Sequence, residues 1–586
     1  MAAANKIVLP LVSLVLVVGI VCGAVLVFHR NGSHDDSSSS SSSTSGDVAS
    51  GSMKSVTTFC QYAEYKDSCA KSLSAVANNQ SATTKDFILA ILQSTIDEAT
   101  KSHQVALNTK VDQGADPYDH VAVEDCKEML QDAVADLQAS FSMVGDSELH
   151  TLGDRADELL NWLSAVYAYQ TTCIEQLEKP EYKSAIESGM VNATQLTNNA
   201  INIIAEMSKV LEAFNVTAAA ADMLKTKATD LTSRHLLEST EDGHASGDYP
   251  TWFPSAYRRL LAAQKAGQVT PHAVVAKDGS GKFKTVSAAL SAYPPKHQGK
   301  YIIHVKAGVY DETVLVDKKM VNVFMYGDGA GKTIITGKKN FAKDKITTSK
   351  TATFTAQGSG FVARGITFRN TAGAEGHQAV ALRSQSDMSA FFDCSIEGYQ
   401  DTLYYHTYRQ FYRNCVISGT IDFIFGKGTA LIQNSVIIAR RPLANQFNTI
   451  TADGKELAKA KGGLVLQNCR IVAEAALFPA RFQLKTYLGR PWKAFSTTLV
   501  MESEVGDVVS PDGWKIWDGE KFENTCVYYE HGNFGPGADT RRRNRAFKKW
   551  QVIDRRMAGQ FTAGPWLDGH TWLRSTGVPF ALTFTR

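Results

Sequence analysis

Two carboxylates and two carboxamides, set at nearly constant spacing, are the side chains here most able to do chemistry together. Gln378, the pair Gln400-Asp401, and Asp422 fall within one stretch ending at Gly426; 21 residues separate the aspartates and 22 the glutamines. Between them lie short strand-like runs, Ala390–Phe392, Gln410–Tyr412 and Phe423–Phe425, bounded by Gly398, Gly419 and Gly426. Short strands recurring about every twenty residues predict a parallel β-helix, whose coils must stack to bury their apolar faces. Residues one coil apart then sit roughly 4.7–4.9 Å from each other, so periodicity alone gathers the four polar groups into one cluster. A single Asp between strands would be an ordinary turn-former. Two in register, beside Ile421, Phe423 and Leu403, are costly as anions unless paired. Neighbouring carboxylates also push their pKa values apart, which supplies an acid and an anion at one pH.

The chain that must position this cluster is long and electrically divided. Its 586 residues call for two or more domains. The overall charge of +2 conceals a split: residues 1–261 hold 18 basic and 33 acidic side chains, and the remainder holds 43 and 26. A basic half of that size suits an acidic partner. Nucleic acid is one such partner, but no nucleic-acid-binding motif accompanies the charge; a polyuronic acid is another.

Reading from the start, residues 1–28 contain an apolar run, Ile7 to Phe28, long enough to span a bilayer. It predicts a signal-anchor, with a cleaved signal peptide as the alternative. Residues 29–52 include the serine tract Ser37–Ser43, a flexible tether. Residues 53–218 repeat apolar positions at helical spacing, as in Val123, Cys126, Met129, Leu130, Val134 and Leu137, and predict an antiparallel helix bundle. Its four cysteines are an even number in a secretory setting. Pairing each with its local partner gives Cys60–Cys69 and Cys126–Cys173; buried thiols or a zinc site are the alternatives. Sequons at Asn79, Asn192 and Asn215 fit the same route.

Residues 219–268 are a polar, proline-bearing linker carrying Arg258-Arg259-Leu260-Leu261, an exposed basic string open to nicking. Residues 269–586 hold the expected rungs: Gly365–Phe368, Asp393–Ile396, Asn414–Ile417, Asn434–Ile437 and Asn468–Ile471. Cys394, Cys415 and Cys469 take comparable places in three of them and predict stacked interior thiols, with Cys526 a fourth buried one. Gly279-Ser280-Gly281 is no phosphate cradle, because no Walker Lys-Ser/Thr pair follows. The absence of a G-x-S-x-G elbow argues against a serine α/β-hydrolase.

Five ordered motifs over roughly residues 270–586 resemble plant pectin methylesterases: GVYDE (308–312), QAVALR (378–383), GYQDTLYY (398–405), GTIDFIFG (419–426) and YLGRPW (487–492). VEDCKEMLQDAVADL (123–137) and NWLSAVYAYQTTCIEQL (161–177) are similar to the pectin methylesterase and invertase inhibitor family. The resemblances imply an all-α four-helix bundle, preceded by a helical hairpin, followed by an all-β right-handed parallel β-helix. They imply methyl-ester hydrolysis of pectin without metal or cofactor. Asp422 matches the nucleophile, Asp401 the general acid and base, Gln378 and Gln400 the oxyanion donors, and Arg490 the residue that orients the nucleophile. Amide groups suit the oxyanion role because they donate without titrating.

Thr348, Tyr404, Phe425, Tyr487, Trp492 and Trp517, together with Gln378 and Arg490, match substrate-binding positions. Two departures stand out. Ser349 replaces an aromatic common in the family, and Ser435 replaces a cysteine that would pair with Cys415. The expected partners are methyl-esterified homogalacturonan, inhibitor proteins, a processing protease acting near Leu261, and a membrane through the N-terminal anchor, with no nucleic acid. The mature enzyme is expected in the cell wall, outside the cell. The inhibitor-like region is expected to silence the esterase or assist its export. A β-helical pectate lyase or polygalacturonase, and a non-catalytic pectin-binding or inhibitor protein, are the competing readings. A lyase would generate unsaturated ends, and simple binding does not call for Asp401, Asp422 and Arg490 together.

Overall fold

The computed structural model describes residues 56–79, 81–148, 151–214 and 270–586. The apolar run at 7–28, the serine tract, the basic string at 258–261 and the sequon at Asn215 lie outside the described residues. No helix among the described residues is long and apolar enough to cross a membrane.

Four long helices make the acidic region: α1 (Thr84–Asn108), α2 (Pro117–Asp146), α3 (Ala156–Glu175) and α4 (Pro180–Ala205). Their starts are encoded locally. Thr83 and Asp86 form a capping box on α1, and Asp116 caps α2 ahead of Pro117. The apolar stripes close on one another around Ile88, Leu92, Leu130, Leu137, Leu163, Val166 and Ile201, all buried. A short helix, Lys66–Ser72, precedes them and is pinned by the Cys60–Cys69 disulfide, while Cys126–Cys173 ties α2 to α3. Both disulfides are those expected. Asn79 and Asn192 are exposed.

The basic region is a parallel β-helix of three sheets, with eleven, seven and eight strands. The eight-stranded sheet corrects the expected rungs by two residues. Its strands run Thr367–Asn370, Ser395–Glu397, Val416–Gly419, Val436–Ala439 and Arg470–Ala473. The residue that opens each expected rung is instead a left-handed corner: Gly365, Asp393, Asn414, Asn434 and Asn468 have φ of 63°, 52°, 52°, 53° and 51°. Asp and Asn tolerate that region better than other side-chain-bearing residues. They also ladder across coils: Asn414 Nδ2 donates to Asp393 Oδ1 at 3.4 Å, and Asn468 Nδ2 to Asn434 Oδ1 at 2.9 Å. The strand expected at Phe423–Phe425 is likewise Ile424–Gly426, starting just after a left-handed Asp422.

Inside, side chains stack rung on rung, as with Phe391 and Tyr412, whose rings lie 4.9 Å apart and nearly parallel. Cys394, Cys415, Cys469 and Cys526 are buried free thiols. Ser435 Oγ accepts from the Cys415 N–H at 3.0 Å, so the hydroxyl serves the backbone where the family's cysteine would form a bridge. At one end Glu312 of GVYDE caps the helix Val286–Ser291, accepting from the N–H groups of Val286 and Ser287 at 2.8 and 3.0 Å. The C-terminal helices Ala563–Leu567 and Gly569–Thr576 cover the outer face of the eleven-stranded sheet. The β-helix interior is built wholly from residues between Ala273 and Phe547, so this region has a complete core without the bundle.

Candidate active site

The seven-stranded sheet carries the cluster. Five of its strands matter: β1 (Leu382–Ser384), β2 (Leu403–Tyr405), β3 (Ile424–Gly426), β4 (Asn448–Asp453) and β5 (Thr486–Gly489). Leu403 pairs with Leu382 on one side and Ile424 on the other. Asp401 and Asp422 therefore occupy the same place on successive coils, two residues before β2 and β3. Each is a left-handed corner, with φ of 60° and 48°, and the Asp401 N–H donates to the Ile421 carbonyl at 3.0 Å. Holding non-glycine residues there costs of order 1 kcal/mol each, which the surrounding ladder must offset. Gln378 and Gln400, both half-buried, sit on the coils leading into β1 and β2, and the Ala379 N–H donates to the Gln400 carbonyl at 3.2 Å.

The two carboxyl groups have opposite surroundings. Asp422 accepts from Arg490 Nε at 2.9 and 3.2 Å, from Arg490 Nη2 at 2.6 Å, and from Thr449 Oγ1 at 2.6 Å. A bidentate guanidinium and a hydroxyl thus fix the orientation of this carboxyl through charge-assisted hydrogen bonds. Arg490 is fixed in turn by its N–H to the Thr451 carbonyl at 3.0 Å and by the Trp517 ring, 4.2 Å from its Cζ. Asp401 is equally buried, but among the described residues its carboxyl has no hydrogen-bonded partner. Burial, and then the negative charge of Asp422, push its pKa well above the ordinary carboxylate range, with Arg490 opposing in part. A carboxyl forked by an arginine and a carboxyl with no such partner and a raised pKa thus stand one coil apart.

Aromatic rings extend this site along the sheet. Tyr404 and Phe425 are register partners stacked at 4.3 Å, and Trp492 meets Phe425 edge-on at 6.0 Å. Ala352, Val380 and Ala452 complete the apolar floor. A cavity of about 480 Å³ opens above it, lined by both aspartates, both glutamines, Arg490, Thr348, Tyr404, Phe425, Trp492 and Trp517. Tyr487 does not line it; its ring stands against Phe447 at 6.0 Å. Phe341 does line it and was missed from sequence, as was Thr449, the hydroxyl on Asp422. Thr449 left a signal only in retrospect: it sits on β4, the strand that pairs with β3 on the next coil, so its hydroxyl reaches back one coil to Asp422.

The far wall of the cavity belongs to the bundle: Tyr118, Thr172, Glu175, Gln176 and Glu178. The Cys126–Cys173 bridge brings Asp125 of α2 and Gln176 at the end of α3 to the same point, where both meet Ser349. Asp125 also accepts from Thr347 at 2.9 Å. Around this contact the ion pairs run one way, acid on the bundle and lysine on the β-helix. They are Lys318–Asp136 at 2.7 Å, Lys350–Glu128 at 2.5 Å, Lys427–Glu175 at 3.1 Å, Lys459–Glu206 at 3.0 Å, Lys461–Asp157 at 3.0 Å, and Lys493–Glu175. The charge split of the sequence is thus used within the chain itself.

Comparison with known proteins adds the family. The pectinesterase family model matches residues 272–570, and the model for plant invertase/pectin methylesterase inhibitor matches residues 54–203. Pectinesterase 4 of Arabidopsis thaliana is 40% identical over 609 aligned positions, covering 99% of both chains. A probable pectinesterase/pectinesterase inhibitor of Brassica napus is 39% identical, covering 99% of this chain and all of its own. Among solved structures, pectin methylesterase from carrot superposes with a TM-score of 0.53 at 48% identity, covering 54% of this chain and 99% of its own.

Proposed function

This chain belongs to the pectinesterase family, with an inhibitor region ahead of the catalytic one, and we propose that Asp422 and Asp401 hydrolyse the methyl esters of galacturonate units in pectin by covalent catalysis. The observation that carries the assignment is the asymmetry of the two carboxyls, one forked by Arg490 and one buried, unpaired and with its pKa raised by burial and by Asp422. Asp422 attacks the ester carbonyl carbon while Gln378 and Gln400 donate to the developing oxyanion. The C–O bond to the methoxy group breaks, Asp401 gives its proton to the leaving oxygen, and methanol departs. What remains is an anhydride between Asp422 and the uronate. Asp401, now anionic, takes a proton from water as the hydroxide adds to the substrate carbonyl. Asp422 leaves as carboxylate, the free acid forms, and Asp401 is protonated again. Arg490 keeps Asp422 aimed throughout, and the rings of Tyr404, Phe425, Trp492 and Trp517 line the path of the sugars.

The bundle acts as an inhibitor in cis. Its residues fill the side of the cavity through which a polysaccharide must pass, and Asp125 and Gln176 seat on Ser349, where an aromatic groove wall is lost. Removal near Arg258–Leu261 frees the cleft, and the free enzyme acts in the cell wall after passage through the secretory pathway. The N-terminal apolar run anchors the precursor, and sequons Asn79, Asn192 and Asn215 carry glycans.

Methanol release from esterified pectin by residues 262–586 tests the chemistry. That region carries its own core, and nearly the whole carrot enzyme, 99% of its chain, is matched by 54% of this one. Asp422→Asn is expected to lower turnover by at least about 10³-fold with the fold intact. Turnover within tenfold of the parent would remove Asp422 from the role of nucleophile.

A further inference from the structure

Next to the catalytic pair, two ammonium groups converge on one carboxylate of the bundle. Lys427 immediately follows β3, and its Nζ lies 5.2 Å from the centre of the Trp492 ring; Lys493 Nζ lies 5.9 Å from the same ring. Both reach Glu175 Oε1, Lys427 at 3.1 Å. Glu175 Oε2 is buried with no hydrogen-bond partner. The Lys427 residue is only 6% exposed, an unusual place for a lysine. Its three donors go to Thr171 Oγ1 at 2.8 Å, Glu175 Oε1 at 3.1 Å and Glu456 Oε1 at 2.7 Å. Only Glu456 belongs to the β-helix. When α3 leaves, Lys427 recovers two donors and Lys493 loses Glu175, so two cations face one remaining acid beside Trp492.

Resting on the pectinesterase reading above, we propose that Lys427 and Lys493 form a subsite for the free carboxylate of an already de-esterified galacturonate unit, occupied in the precursor by the Glu175 carboxylate acting as its mimic. An esterified unit is neutral and gains nothing from this pair. A free uronate carries the charge and the two acceptor oxygens that Glu175 now presents. The freed enzyme therefore favours esters that neighbour existing acid units, and each turnover creates another such unit.

The test uses residues 262–586, their Lys427→Met and Lys493→Met variants, and unesterified trigalacturonate as probe. Each variant is expected to raise the inhibition constant of trigalacturonate by about tenfold, the scale of one lost hydrogen bond to a charged group. Each should also lower, by a similar factor, the ratio of kcat/KM on half-esterified to fully esterified oligogalacturonide. Inhibition and ratio within twofold of the parent, in variants with unchanged circular dichroism, overturn the subsite. Lys493, more exposed than Lys427, carries the test if Lys427→Met does not fold. Calorimetric binding of trigalacturonate to Asp422→Asn, weakened by Lys493→Met, supports the subsite without turnover; binding indifferent to Lys493→Met refutes it. Failure of the parent to release methanol from either substrate would instead strike the esterase assignment.

Discussion

Replacing Ser349 by alanine isolates the contact through which the bundle grips the cleft. Ser349 and Asp125 are both almost inaccessible, at 3% and 1% exposure. Ser349 Oγ lies within hydrogen-bonding reach of Asp125 Oδ2 and of Gln176 Oε1, the latter at 3.0 Å. A hydroxyl has one hydrogen, and the anionic oxygen takes it, so the alanine variant removes one charge-assisted bond from Asp125. Thr347 and Lys350 remain as its partners, at 2.9 and 3.5 Å, and keep the carboxylate from being stranded. The loss is then about 1.5–3 kcal/mol, or roughly 10–150-fold in affinity. The assay adds the bundle, residues 53–218 with its disulfides formed, to residues 262–586 and measures the inhibition constant from methanol release. A double-mutant cycle with Asp125→Asn isolates the pair and is expected to give a coupling of more than about 1 kcal/mol. An inhibition constant within threefold of the parent, or purely additive variants, would refute the latch. So would an equal loss of activity in Ser349→Ala with no bundle present.

Asp401 gives a pH dependence with a definite sign. Its folded pKa lies well above the ordinary value because of burial and Asp422, so the acid needed for acylation is lost as pH rises through that raised pKa. The folded region also holds a proton there that the unfolded chain has released. This group's contribution to stability is therefore full below the ordinary carboxylate pKa and declines as pH rises toward the folded one. Asp401→Asn should flatten the melting temperature over that window; an unchanged pH slope of melting contradicts the assignment. Arg490→Lys replaces a fork by a point charge and should cut kcat by about 10–100-fold, and activity near that of the parent would show that the bidentate geometry is dispensable. The pairs between bundle acids and β-helix lysines are partly exposed, so raising salt from 0.05 to 0.5 M should weaken inhibition in trans by about tenfold. A salt-independent inhibition constant would mean that these pairs contribute only geometry.

Spacing alone made much of the site legible. A repeat of about twenty residues forces equivalent positions of successive coils together, so Asp401 and Asp422 had to meet once the β-helix was accepted. Although the stacking of Tyr404 on Phe425 emerged only with the fold, the same logic reached the stacked thiols. It misjudged the rung starts, because Asp393 and the asparagines look like strand openings but bend the chain through left-handed corners. Tyr487 was carried over by motif, and its ring stands against Phe447 rather than lining the cavity. Rotation about a side chain is a packing outcome that a linear motif does not contain.

The amino-acid order by itself determined the two regions, their opposite charges and the meeting of Asp401 with Asp422, since each depends on residue type, count and local periodicity, while the roles of Asp422, Asp401 and Arg490 came from the resemblance of their motifs. Only the folded chain decided where those charges meet, which side chains Asp125 and Glu175 seek, and that Ser349, seemingly a lost groove wall, holds an inhibitor carboxylate. Such facts join residues more than 200 positions apart through the docking of two separately built cores. That docking is set by the summed shape and field of both surfaces, which no window of sequence displays.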